Sequence, residues 1–380
     1  MQIWKSGVED SHPPIRPFSR YRTRVSLGHV LTTGFGGARY MQSKTPQELE
    51  ALDIQDISHY GVSTGIERPR VVVLDPVHES AIEQLKQTCE VEVALQPEPT
   101  RLLSLVADAH AVVVRSGVQL TAEVFDRAPR LRVVGRAGAG TDNIDLDAAR
   151  RAGVTVFNMP GRSGGAVAEL AMGLMIGSMR NIAKADRQMR DGLWNKSALA
   201  GDSLEGKTLG LVGCGGIGGH IARLAAAFGM HVLAVVAHPT PERRADLAGR
   251  GITLVELDTL LTSSDVVCLA VPLNEDTRGL IGAEQLGRMR QGSYLVNVAR
   301  GGIVDEPALQ EALRTGQLAG AALDVHARER ETSPFAGLDN VVLTPHIGAM
   351  SRDVQREIGQ TVARSVLDAL EGRPVENRVC

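Results

Sequence analysis

The sequence lacks most of the features that would tie it to a membrane, a metal or a polyanion. No stretch of its 380 residues approaches the roughly 20 apolar residues that a membrane-spanning helix needs, and the N-terminus has no apolar core of the kind that marks a secretory signal. Neither sign of charge dominates. The 41 Lys and Arg against 44 Asp and Glu leave a formal net charge of −3, too little to draw the chain to nucleic acid or an anionic membrane. Cysteine is sparse: Cys89, Cys214, Cys268 and Cys380 lie far apart, with no CxxC pair and no Cys/His spacing of a zinc site. No metal is expected, and a reducing, cytoplasmic setting is. What remains is a small-molecule function in a chain long enough, at roughly 100–200 residues per domain, for two buried cores.

Residues 1–67 stand apart. Pro13, Pro14 and Pro17 sit among Arg16, Arg20, Arg22 and Arg24, and neither helical nor strand periodicity is sustained, so the segment reads as a flexible extension. Its early excess of Arg over acid is shared with organellar transit peptides, but there is no clear amphipathic helix, and Met41 offers an alternative start. From Arg68 the pattern changes. β-Branched runs at 71–74, 91–95 and 111–114 alternate with helical segments at 79–86 and 100–109, and the series continues through 131–135 and 154–157. Strands separated by helices predict a parallel sheet covered on both faces. After a long apolar helix at 166–179, a second series begins at Thr208 and runs through 231–236, 265–271, 293–298, 319–325 and 340–344. A last helix at about 352–370 is free to return to the first sheet. The predicted class is α/β, with two doubly wound parallel-sheet domains.

The segment TLGLVGCGGIGGHIARLAAAFG sets Gly213, Gly215 and Gly218 in a G-x-G-x-x-G pattern between an apolar strand and an Ala-rich helix. In that context Gly213 allows the tight turn, Gly215 lets the backbone approach a pyrophosphate, and Gly218 lets helix and strand pack closely. The helix N-terminus then offers N–H donors to the phosphates. A glycine-rich turn without a ligand is the alternative. The fingerprint's second half is missing: the acid that would hold a ribose 2′-hydroxyl, about 20 residues on, falls at Val236, and no carboxylate occurs from Met230 through Pro241. His238, Thr240, Arg243 and Arg244 stand just beyond. Either the preference is shifted toward NADP, with a basic side chain near the 2′-phosphate, or these arginines begin a solvated helix. The cofactor therefore reads as NAD or NADP.

Three later segments, LVNVARGGIVDEPAL, AGAALDVHARERE and NVVLTPHIGA, each run from an apolar strand into an unusual polar residue. Ligands sit at the carboxyl ends of strands in open parallel sheets, so Arg300, Asp324 and His346 are expected to converge on one crevice. Oxidising a 2-hydroxy acid needs a base for the hydroxyl proton, and reducing the 2-oxo acid needs the same group as an acid. Histidine suits both directions, and His346 is the candidate. Glu329 is the candidate carboxylate to orient that imidazole. Arg300 can clamp a substrate carboxylate and polarise the adjacent carbonyl oxygen. Asp305, ahead of Glu306-Pro307-Ala308-Leu309, reads as a helix N-cap with no chemical part.

Taken in order, RSGVQLTAEVFDRAPRLRVVGRAGAGTDNIDLDAA, the GCGGIG turn, NVARGGIVDE, AGAALDV and TPHIGA resemble the D-isomer-specific 2-hydroxyacid dehydrogenase family, most of all its phosphoglycerate-oxidising members. The likeness runs from about Arg68 to the C-terminus. It implies a flavodoxin-like substrate domain made of 68–165 and 350–380 and a Rossmann NAD(P)-binding domain at 166–349, behind the extension at 1–67. By the resemblance Arg300 binds substrate, Glu329 and His346 form the catalytic pair, and Asp324 stands beside the nicotinamide. Gly216 and Ile217 turn over the pyrophosphate, Val298 and Ala299 line the cofactor, and Val236, Val271, Gly348 and Ala349 lie on the same side. The substrate side receives Arg115 and the backbone of Gly138, Ala139 and Gly140, and Lys196 falls where a basic residue could meet a phosphate across a dimer.

The departures from the family are local. Ala139 stands where Thr is usual, Val271 replaces a Thr or similar residue before Pro272, and His326-Ala327-Arg328-Glu329-Arg330 replaces aromatic-x-x-Glu-Pro. They leave the cofactor grip and the placement of Glu329 open; His326 fills the aromatic slot or serves as a second acid–base group. The resemblance implies hydride transfer between a D-2-hydroxy acid and NAD(P), with 3-phosphoglycerate to 3-phosphohydroxypyruvate, the entry to serine synthesis, as the leading reaction. Reduction of glyoxylate, hydroxypyruvate or another 2-oxo acid is the runner-up, and an NADH-sensing corepressor of the same fold is the reading from a different class. A homodimer joined through the nucleotide-binding domains is also implied. The chain stops at ALEGRPVENRVC, where longer members add a serine-sensing domain, so serine feedback by that route is expected to be absent.

Overall fold

Val71, Val72 and Val73 are fully buried, and so are Ala111 to Val114. Runs with no polar alternation form interior strands of a parallel sheet because helices cover both of its faces. The computed structural model describes residues 68–380, and the extension read at 1–67 lies outside the described residues. The first half comprises β1 (Arg70–Val73), α1 (Glu79–Lys86), β2 (Glu90–Val93), α2 (Pro99–Val106), β3 (Ala111–Val114), α3 (Ala122–Asp126), β4 (Val133–Arg136), α4 (Leu146–Arg151) and β5 (Thr155–Phe157). Its strands are all parallel in the order β2-β1-β3-β4-β5.

The helices α5 (Gly164–Met179) and α6 (Ile182–Arg190) lead to a second sheet. It begins with β6 (Thr208–Val212), α7 (Gly216–Ala227), β7 (His231–Val235), α8 (Pro241–Gly249), β8 (Ile252–Leu254), α9 (Leu257–Ser263) and β9 (Val266–Leu269). It continues with α10 (Ala283–Arg288), β10 (Ser293–Asn297), α11 (Glu306–Arg314), β11 (Leu318–Leu323) and β12 (Val341–Leu343), and α12 (Arg352–Leu370) closes the series. The order β12-β11-β10-β9-β6-β7-β8 sends the chain outward from β6 to β8 and then back to the other side of β6 at β9. That reversal is the switch point at which open α/β sheets hold ligands. The expected α/β class, with two doubly wound parallel sheets, is what the chain forms. The sequence pattern did not mark β8, whose 3 residues bury only Ile252 and Leu254.

Apolar residues occupy every face of α5, because it packs against α7 on one side and β10 and β11 on the other. Its Val167, Ala168, Ala171, Met172 and Met175 join the core of the second sheet. The last helix, α12, lies against α1 and β4. Val362 and Val366 are fully buried there, each contributing roughly 1.5–3 kcal/mol relative to exposure. Beyond α12, Val379 N–H donates to the Val156 carbonyl (2.7 Å) and Val156 N–H to that of Cys380 (3.0 Å), so the C-terminus is tied to β5. Asp305 caps α11 through the Ala308 amide (3.1 Å), with Pro307 in the first turn. Among the described residues, no helix is long and apolar enough to cross a membrane.

Candidate active site

The carboxyl ends of the two sheets face each other. From the second sheet, His346 follows β12 in a left-handed backbone conformation (φ 56°), which a non-glycine residue holds only when its surroundings over-determine it. Asp324, just past β11 and 1% exposed, supplies that constraint. Its carbonyl accepts from His346 N–H (2.7 Å), its Oδ1 from the Thr344 hydroxyl (2.7 Å) and Ile347 N–H (2.8 Å), and its Oδ2 from Gly348 N–H (2.9 Å). The carboxylate is thus filled by the turn that carries His346.

His346 Nδ1 lies 2.7 Å from Glu329 Oε1. The hydrogen bond from His346 holds the Glu329 carboxyl below the usual range; partial burial opposes this, and the charges of His346, Arg300 and His326 add to the lowering. An ionised carboxylate can only accept, so Nδ1 carries the bonded proton and Nε2 faces away from the pair. His326 does not compete for this place: its Nε2 lies 3.2 Å from the Thr344 carbonyl, and its Nδ1 is buried without a partner.

Arg300 follows β10 and reaches across to the first sheet, with Nη2 at 3.2 Å and Nε at 3.3 Å from Asp142 Oδ1. Its guanidinium lies over Gly140, where a Cβ would displace the tips of the Arg300 and Asp142 side chains from this pairing. Asn297, 1% exposed at the end of β10, fixes this approach. It accepts from Ala299 N–H (3.0 Å) and donates to the Arg300 carbonyl (2.9 Å). Val298 and Ala299 are buried between these contacts.

On the first-sheet side, Asp75 after β1 is 1% exposed and accepts from Arg115 N–H (2.6 Å) and Gly117 N–H (3.2 Å). Asn143 Nδ2 donates to the carbonyls of Arg115 (2.8 Å) and Val118 (2.6 Å). Together they fix the turn carrying Arg115, whose Nη1 reaches Met350 Sδ (3.2 Å) across the crevice. Gly138 and Ala139 shape the next turn: the Gly138 carbonyl accepts from Met159 N–H (2.9 Å), and the Ala139 carbonyl from Asn158 Nδ2 (2.6 Å).

Arg136, at the end of β4, completes a group of three arginines with Arg115 and Arg300. It is 6% exposed, its Nε has no hydrogen-bond partner, and no carboxylate pairs with it among the described residues. Burial, then the charges of Arg300 and Arg115, push its pKa down to about 10, against the pull of Asp142 and Asp75. A buried cation without a paired anion is costly, so its guanidinium is suited to an incoming anion. Sequence reasoning passed over Arg136, Asp75, Asn143 and Asn297. The signal that singled out Arg300, a polar residue ending a buried strand, also marks Asp75 and Arg136. Lys196 is exposed on a 3₁₀ turn, Lys196–Leu199, and no described interaction joins it to this group.

Arg330 straps the loop of Glu329 to the first sheet. Its Nη2 donates to the Gly117 carbonyl (3.0 Å), its backbone is left-handed (φ 76°), and its side chain borders a cavity of about 340 Å³ beside Gln96 and Gly117. Removing the strap should loosen Glu329, so Arg330→Ala is expected to cut turnover by up to about 10-fold with the fold intact. In a denaturant melt, Arg330→Gly should exceed Arg330→Ala in stability by about 1 kcal/mol, because only glycine takes this φ without strain. Equal stability would remove the strain from the account.

The glycine turn after β6 meets the needs of a dinucleotide. Gly213 has φ 94°, and a Cβ there would lie 2.7 Å from the Ala270 carbonyl oxygen and 2.6 Å from Val271 Cγ1. At Gly218 a Cβ would overlap the Gly213 carbonyl, so helix and strand approach only through glycine. At Gly215 and Gly216 a Cβ would enter open space, which is the room a diphosphate needs over the first amides of α7. Ile217 and Val236 are partly buried and pack against the core of the second sheet. At the far end, Gly348 is buried on Asp324, and the Ala349 carbonyl accepts from Gln355 Nε2 (2.6 Å). The residues fit the cofactor class.

Two nucleotide-type sheets facing across an arginine-lined crevice with a Glu–His pair define a dehydrogenase class, and the comparisons agree. Residues 172–348 match the family described as D-isomer specific 2-hydroxyacid dehydrogenase, NAD binding domain. The chain is 42% identical over 313 residues to D-3-phosphoglycerate dehydrogenase of Archaeoglobus fulgidus, covering 82% of this chain and 59% of that protein. It is 41% identical over 308 residues to hydroxypyruvate reductase of Thermotoga maritima, covering 80% of this chain and 99% of the relative. A crystal structure of a glyoxylate reductase from Paecilomyes thermophila superposes with a TM-score of 0.74 at 30% identity, covering 83% and 99% of the two chains. The chain belongs to the D-isomer specific 2-hydroxyacid dehydrogenase family. It spans 59% of the length of the phosphoglycerate dehydrogenase it matches.

Proposed function

We propose that this chain oxidises a D-2-hydroxy acid that carries a second anionic group, 3-phosphoglycerate being the substrate that fits, to the corresponding 2-oxo acid. The observation that carries the substrate reading is Arg136, a buried guanidinium without a paired carboxylate, set beside Arg115 and Arg300. Arg300 holds the substrate carboxylate and polarises the oxygen at carbon 2, while Arg136 and Arg115 receive the phosphate. His346 Nε2 takes the hydroxyl proton, and Glu329 keeps the ring aligned through Nδ1. Asp324 positions that ring through the turn at 344–348. Gly215 and Gly216 would hold the diphosphate of NAD(P), which would accept the hydride. In this reading Val271, which packs against Gly213 of the glycine turn, and the buried Val298 and Ala299 line the cofactor.

The 41% identity to a hydroxypyruvate reductase favours a second reading, the reduction of an unphosphorylated 2-oxo acid. Ile182, Met189, Leu193 and Trp194 are exposed apolar residues on and just after α6, with Trp194 81% exposed, and they support a homodimer formed through this side of the nucleotide-binding half. The function is tested by initial rates of NAD(P) reduction with D- and L-2-hydroxy acids in parallel. Turnover confined to the D isomers is expected, and turnover of the L isomers alone, or of neither, would overturn the assignment.

A further inference from the structure

At the end of β7, where a carboxylate would hold a ribose 2′-hydroxyl, this chain carries none. At the end of β7 the side chain is Val236, half-buried against the core, and no carboxylate occurs from Met230 through Pro241. An apolar side chain cannot bond the two ribose hydroxyls of NAD, and burying them against it leaves those groups unpaired. The nearest acid in sequence, Glu242, is turned to its own amide and the Thr240 hydroxyl, which hold its carboxyl below the usual range.

The two arginines that follow point in different directions. Arg244 Nη1 donates to the Leu254 carbonyl (3.1 Å), on the β8 side of its helix. Arg243 folds back the other way. Its Nη2 donates to the carbonyl of Cys214, inside the glycine turn, and its Nη1 lies 3.3 Å from Asp246 Oδ2. Asp246 is itself shared with Arg250 Nη1 (3.7 Å), so these three groups keep one net positive charge beside the turn. Thr240 caps the first turn of α8 through the Arg243 amide (3.2 Å) and so fixes where this side chain starts. A guanidinium beside the glycine turn, whose aspartate partner Asp246 is shared with Arg250, matches a phosphate and not a diol.

We propose that this chain selects the 2′-phosphorylated nicotinamide dinucleotide, with Arg243 bonding the 2′-phosphate. The proposal rests on the reading that the second sheet binds a nicotinamide dinucleotide. Arg243 exchanges the Cys214 carbonyl for the phosphate oxygens, and a planar fork meets two of them at once. Arg244 takes no part.

Equilibrium titration of the full chain with NADPH and with NADH, followed by nicotinamide fluorescence, tests this without turnover. NADPH is expected to bind at least about 10-fold more tightly than NADH, as a charge-assisted pair warrants. Arg243→Ala should weaken NADPH by about 10–100-fold and leave NADH within roughly 2-fold, Arg243→Lys should retain part of the preference, and Arg244→Ala should retain all of it. Equal or tighter binding of NADH, or equal loss of both cofactors in Arg243→Ala, overturns the phosphate assignment while leaving the dinucleotide site in place. Failure of both cofactors to bind overturns the site and the proposal together.

Discussion

Replacing His346 by alanine is expected to lower turnover by about 10²–10⁴-fold, the range for a general acid–base group, while the melting temperature stays near that of the parent. The geometry limits the alternatives. His346 Nδ1 is bonded to Glu329, whereas the nearby His326 is held on the Thr344 carbonyl, so among the described residues His326 is not poised to take over. Glu329→Gln should cost less than His346→Ala, because the amide oxygen can still accept from Nδ1 but carries no charge. The pH dependence has a definite sign. The carboxyl of Glu329 is depressed in the folded chain, so its contribution to stability is complete above the ordinary carboxylate pKa. It diminishes as pH falls below that value and is gone beneath the folded one. The stability gap between parent and Glu329→Gln should therefore be constant near neutrality and close in acid. A near-native rate in His346→Ala, measured by steady-state kinetics, would move the proton transfer elsewhere.

The second large effect separates function from stability at Arg136. Arg136→Met keeps an unbranched stem as long as that of Arg to Nε and removes the buried charge, and the unliganded protein is expected to gain on the order of 1–3 kcal/mol. At roughly 1–2 °C per kcal/mol for a chain of this size, thermal melting resolves the gain. The sign follows from the depressed pKa of about 10 against the ordinary 12.5: below about 10 the protonated group disfavours the folded state, and the penalty lifts only as pH rises between the two values. The same substitution should raise KM for a phosphorylated substrate about 100-fold, since a charge-assisted contact to phosphate is lost. Loss of stability together with an unchanged KM would mean that Arg136 is structural.

Much of the scaffold was written in patterns that need no three-dimensional information. Period and length marked the two strand series, the glycine spacing marked the turn after β6, and polar residues ending apolar strands marked Arg300, Asp324 and His346. Other features depend on contacts between segments distant in the chain. The left-handed conformation of His346 is invisible in the letters TPHIGA because the residue is not a glycine; it comes from Asp324, 22 positions earlier, bonding three donors of that turn. Asp75 and Asn143 brace Arg115 from opposite flanks of the first sheet's edge loops, a relation that no local spacing expresses. The choice between Arg243 and Arg244 was open for the same reason, since only the direction of each side chain off α8 separates them. The irregular segment His326–Arg330 replaced one anchor by another: where the family has proline after the glutamate, this chain has Arg330 bonded to Gly117.

In the proposed function the group of Arg115, Arg136 and Arg300 reads a second anion on the substrate. The most direct measurement is the ratio of kcat/KM for 3-phosphohydroxypyruvate to that for hydroxypyruvate, taken from initial rates of NAD(P)H oxidation under identical salt and pH. The account predicts a ratio of at least about 100, equivalent to about 2.7 kcal/mol of transition-state binding. A ratio of one or below would contradict it, and would make the chain a reductase of unphosphorylated 2-oxo acids.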